Sequence, residues 1–88
     1  MTEILEDIKD ELQKAKVKFP LWPNDPIHAA AIVAEEAGEL TKAALQWTYE
    51  NGEGIKMLNE AIQTAAMALR FIENFLKYDR YNTFQHED

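Results

Sequence analysis

Cysteine is absent from this chain, which removes both a disulfide framework and a thiolate metal site. Glycine and proline are scarce, three of each in 88 residues. That composition, with 47% apolar residues, excludes a disordered or collagen-like chain. Basic residues are the minority, nine against sixteen acidic, for a formal net charge of -7. A nucleic-acid partner is therefore not expected, because neutralising a phosphate backbone needs a basic face. A phosphate-bearing small molecule stays open if a metal bridges the two negative partners. No apolar run is long enough to span a bilayer. The stretch Met1 to Asp7 is acidic and amphipathic, unlike a signal peptide. The expectation is a soluble cytoplasmic protein with no membrane partner.

What remains is helix. Leu5, Ile8, Leu12 and Ala15 recur at three- and four-residue spacing and predict a first helix from about Thr2 to about Lys18. Pro20 and Pro23 break the pattern, and the apolar Phe19 before them and Trp22 between them call for packing partners. Asp25 before Pro26 is a start signal for a second helix, a side-chain cap followed by proline at the first helical position. In this helix Ile27, Ala31, Ala34, Gly38 and Leu45 share a face, widened by Ala30, Ala37, Ala44 and Thr48. Ile32, Val33, Leu40, Ala43 and Trp47 lie elsewhere around the cylinder. A helix apolar on several sides is either central in its fold or buried against another subunit. Asn51 to Gly54 is a stop and turn signal. A third helix is predicted from about Ile55 to about Tyr78, with Leu58, Ile62, Ala65, Leu69, Ile72 and Leu76 as its main stripe. Residues 79–88 show no period and fit either a short docked helix or a mobile tail. The fold class is all-α: one domain over residues 1–88, a three-helix antiparallel protomer. So small a core makes assembly of copies into a larger bundle a natural supplement.

Three carboxylates within five residues, Glu35, Glu36 and Glu39, interrupt the second helix. Placing them in a segment whose other positions want burial is costly, and a hard divalent cation with a preference for oxygen ligands removes that cost. Glu35 and Glu39 stand one turn apart, as do Glu36 and Glu39. Glu60 and Gln63 form a pair three apart on the third helix, away from its apolar stripe, on a side that also carries Lys56, Met67 and Arg70. Antiparallel packing brings Glu60 toward the triple glutamate, so that carboxylates from two helices converge. The plainer alternative is a solvated face with surface pairs such as Glu39–Lys42 and Lys56–Glu60. His28 shares the arc of Glu35 and Glu39, two turns earlier, where helix-start or interface residues are commoner than ligands. Trp22, Trp47 and Tyr49 are candidates either for stacking on a base or for core packing.

The pattern Glu35-Glu36-x-x-Glu39 followed by Glu60-x-x-Gln63 resembles the EExxE…ExxD signature of the MazG-like all-α nucleoside-triphosphate pyrophosphohydrolases. The resemblance covers roughly residues 25–75. It implies Mg2+-dependent cleavage of a nucleoside triphosphate to the monophosphate and pyrophosphate, often to clear unwanted nucleotides, in a dimer or tetramer of helical bundles. Carried residue by residue, it implies metal ligation by Glu36, Glu39, Glu60 and Gln63, and water activation by Glu35. Lys42, Lys56 and Arg70 become candidates for phosphate contacts and Trp22 for a base contact. Where the family usually has aspartate this chain has Gln63, whose carbonyl ligates Mg2+ without charge. The alternative expectation is a relative that binds nucleotide, or only assembles, without efficient hydrolysis. A third is a partner-binding module whose acidic face meets a basic protein.

Overall fold

The computed structural model describes residues 1–78; the expectation for the last ten residues falls outside them. Three helices account for the described chain: α1 (Thr2–Lys18), α2 (Pro26–Tyr49) and α3 (Gly54–Glu73), followed by a short 3-10 turn at Phe75–Lys77. No helix among the described residues is long and apolar enough to cross a membrane.

The helix boundaries follow from local chemistry. Asp25 caps α2, its Oδ1 accepting from the Ile27 N–H at 3.1 Å, with Pro26 at the first helical position. At the other end Asn51 takes a left-handed φ of 60°, and the Gly52 N–H donates to the Gln46 carbonyl at 2.8 Å. A Cβ on Gly52 would lie 3.0 Å from the Gln46 backbone, so the close approach favours glycine there. The third helix stops earlier than the periodicity predicts. Asn74 ends it: its N–H is shared between the Arg70 and Phe71 carbonyls at 3.2 Å each, and its Nδ2 donates to the Arg70 carbonyl at 2.8 Å. The chain then turns so that Tyr78 comes back against α3.

The central helix is α3, so the first of the two alternatives for α2, a central place in the fold, does not hold within the protomer. Both α1 and α2 pack on α3, α2 more extensively, and α1 and α2 have no close backbone approach to each other. The core is built from Leu12, Ala66 and Met67, with Ile8, Ala15, Trp22, Ile32 and Val33 packed around it. The main stripe of α3 is not part of it. Leu58, Leu69, Ile72 and Leu76 are exposed, whereas Ala66, Met67 and Arg70 face inward. Periodicity identifies an apolar face but not what covers it.

Candidate functional site

The α2–α3 packing gathers the acidic residues of both helices. Glu36 and Glu60 are half-buried, while Glu35 and Glu39 are exposed. The Glu36 carboxyl is held above the usual carboxylate range, first by its partial burial and then by the negative charges of Glu60, Glu35, Glu39 and Glu11. The Glu60 influence is the expected approach across α2 and α3. Glu11 comes from α1 and is absent from the sequence-based set, because the acids in the first half of α1 read as complements to its helix dipole.

Glu39, Glu60 and Gln63 line one cavity of about 430 Å³ together with Lys42, Lys56, Gln46 and Asn59. Five of the nine residues singled out in the sequence thus share one concavity. Among the described residues the ion pairs are Lys9–Glu6 and Lys16–Glu73; neither Glu39–Lys42 nor Lys56–Glu60 closes, and Glu35, Glu39, Lys42 and Lys56 are exposed, as on a solvated face. Gln63 also borders a second cavity of about 490 Å³, whose α1 wall carries Asp7, Asp10 and Glu11. Glu35 and Glu36 stand outside both linings, and His28 is exposed on the first turn of α2.

Arg70 and Trp22 lie elsewhere: Arg70 is not among the residues of the acidic cavity, and of the two alternatives for Trp22 the structure shows core packing. Arg70 is ten residues beyond Glu60, about 15 Å along α3. It is 4% exposed, and its guanidinium is already engaged. Nη2 donates to the Phe19 carbonyl at 2.7 Å and Nη1 to the Ala15 carbonyl at 3.5 Å, with the Trp22 ring centroid 5.0 Å away. The charge therefore serves the carbonyl end of α1, where a cation complements the helix dipole. Trp22 packs against the core, and its Nε1 donates to the Tyr78 hydroxyl at 3.2 Å. The hydroxyl in turn donates to the Phe71 carbonyl at 3.2 Å. A further cavity lies beside these residues and shares no lining residue with the acidic one.

The donors of this set are all oxygen and come from facing helices, with Lys42 and Lys56 in the same lining and no ion pair closed to either among the described residues. They do not form a ready-made cage. Among the described residues no three acidic or histidine side chains are grouped closely enough to hold an ion. The chain matches no protein-family model, no curated protein and no solved structure.

The charge crowding has a testable sign. A carboxyl whose value is raised by folding contributes stability while protonated and loses it as pH rises through the raised value. Removing the charge with Glu36→Gln should stabilise the metal-free protein at neutral pH. Relief of the four like-charge neighbours at about 0.2–0.5 kcal/mol each corresponds to a Tm gain of about 3–16 °C for a domain of this size. The gain should shrink toward pH 5. Thermal unfolding at the two pH values checks it, and an unchanged or lower Tm at neutral pH would contradict the crowding.

Proposed function

We propose that the chain is a Mg2+-dependent nucleoside-triphosphate pyrophosphohydrolase of the MazG-like type, cytoplasmic and assembled from two or four copies in a multi-helix bundle. The observation that carries the reading is the joint lining of one cavity by Glu39, Glu60 and Gln63 with two lysines that pair with none of them. Glu39 of α2 and Glu60 and Gln63 of α3 thus share a space with cations suited to phosphate. The electrostatic influence of Glu60 on Glu36 adds a second link across the same two helices.

In this reading Glu36, Glu39 and Glu60 hold the metal, with the Gln63 carbonyl as a neutral ligand or as support for water bound to it. The metal supplies charge neutralisation at the phosphate oxygens. Lys42 and Lys56 meet the outer phosphates from the α2 and α3 walls and offset the acidic surroundings. Glu35, exposed beside Glu36, orients the attacking water and takes its proton, a role that needs a carboxylate within hydrogen-bond reach. The monophosphate and pyrophosphate then leave through the open side of the cavity.

Purified protein incubated with a panel of canonical and modified nucleoside triphosphates should release pyrophosphate with Mg2+ and not with a chelator. Absence of release across the whole panel would sink the enzymatic reading. Gln63 supports one alternative, a nucleotide-binding relative with poor turnover, since the wall it shares between two cavities lacks the usual negative charge. Mg2+-dependent nucleotide binding by calorimetry, without pyrophosphate release, would select it.

A further inference from the structure

The cavity of about 490 Å³ between α1 and α3 has two walls that differ in kind. Its α1 wall is Asp7, Asp10, Glu11 and Lys14, three carboxylates beside one ammonium. None of the three carboxylates is ion-paired among the described residues. Its α3 wall presents Ile55, Leu58 and Ile62. Ile55 and Leu58 are 54 and 53% exposed, although α3 is the helix that carries most of the core. The same α3 row runs on at spacings of three and four to Leu69 and Ile72, which are exposed as well.

Both walls are helices running in the same direction: Asp7 shares the cavity with Ile55, and further along Ala15 meets Arg70. Their lining positions recur every three or four residues, so each helix presents a ridge. A trough between two ridged helices is shaped for a third helix laid along it. The row from Ile55 to Ile72 is about 25 Å long, the length of a helix of about 17 residues. No sheet edge among the described residues offers an extended peptide a hydrogen-bonded place.

We propose that this groove receives an amphipathic helix of a basic partner protein. The apolar stripe of that helix lies on Ile55, Leu58 and Ile62, and its lysines or arginines face Asp7, Asp10 and Glu11. Charge complementarity selects this occupant. A wholly apolar helix would cover the carboxylate wall and leave it unpaired, which is costly. An acidic helix meets like charge there, and a second copy brings its own net charge of -7 against the same wall. A basic partner is instead drawn in by the field of the whole chain. Asn59 and Gln63 line this groove and the acidic cavity alike, so the bound helix reaches the wall that the two share. The proposal stands apart from the catalytic reading.

A fluorescein-labelled peptide of about eighteen residues, leucine on one face and lysine on the other, serves as the probe. Anisotropy titration with the full chain should show it binding about 10-fold or more tighter than a scrambled peptide of the same composition. Ile55→Ser/Leu58→Ser should weaken binding about 10-fold or more. Its helical circular dichroism should persist, since both side chains are exposed within one chain. Asp7→Lys/Asp10→Lys should reverse the preference, rejecting the leucine–lysine peptide and accepting a leucine–glutamate peptide of the same pattern. No binding, equal binding of ordered and scrambled peptides, or binding unchanged by both double variants would overturn the proposal. Sedimentation of the free chain tests the other occupant. If its mass is a multiple of the 10.1 kDa protomer that Ile55→Ser/Leu58→Ser lowers, a second copy fills the groove and the proposal falls. Pyrophosphate release enters none of these readouts, so loss of the catalytic reading would be seen separately.

Discussion

Replacing Arg70 with alanine should cost about 2–4 kcal/mol and lower the Tm by about 10–30 °C. The guanidinium donates to the Phe19 and Ala15 carbonyls and covers the Trp22 ring. A charge-assisted hydrogen bond is worth about 1.5–3 kcal/mol and a desolvated cation–π contact up to about 2 kcal/mol, with losses that do not add fully. A domain of this length has about 4–13 kcal/mol in total, so the variant loses a large share of it. Arg70→Met, which keeps much of the volume but no donor, should remain destabilised. Arg70→Lys should recover less than half, because an ammonium cannot present the planar fork to two carbonyls and a ring at once. Urea unfolding of the three variants measures this directly. A wild-type midpoint for Arg70→Met would show that packing, not the hydrogen bonds, matters at this position.

The second large effect is on turnover. Glu39→Gln should reduce kcat/KM for pyrophosphate release by about 10²–10³, the loss expected when one ligand of several kcal/mol is taken from a metal-assisted reaction. Glutamine retains the shape and a carbonyl, so the loss reports the missing charge. Mg2+ binding should weaken in parallel, and raised Mg2+ should restore part of the rate. If the metal dependence is unchanged while the rate falls, Glu39 acts on the substrate rather than on the ion. If neither changes, the cavity shared by Glu39, Glu60 and Gln63 is not where the chemistry occurs.

These two residues also mark how far the sequence could be read. Glu39 was legible because its relation to Glu36 is fixed by the helix, and its relation to Glu60 by an antiparallel pair with a short connection. The same local rules gave the bounds of α1 and the cap at Asp25. Arg70 was not legible. A basic side chain on the same arc as Glu60 suggested phosphate, but the partner that claims it is the end of α1, more than fifty residues away in sequence. Trp22 was readable as either a base contact or a core anchor, and the structure shows the second; its partner was not legible, because nothing in its neighbours announces that Tyr78 will fold back to meet it. Glu11 escaped because its acidic neighbours had a sufficient local explanation. The α3 stripe misled differently: its period is real, but Leu58, Leu69, Ile72 and Leu76 lie exposed instead of in the protomer's core.

The arrangement of α1 and α2 on either side of α3, without close backbone approach to each other, bears on the order in which the molecule assembles. The α2–α3 hairpin closes over a short connection and holds the more extensive packing, so its loop-closure entropy is small. The α1 segment docks only through distant partners: the contacts from Ala15, Phe19 and Trp22 to Arg70 and Tyr78 span 51 to 56 residues. Folding should therefore proceed from a hairpin nucleus, with α1 arriving late and, under native conditions, leaving first as a separate unit. Amide hydrogen exchange that is faster in α1 than in α3 would be the trace of that order.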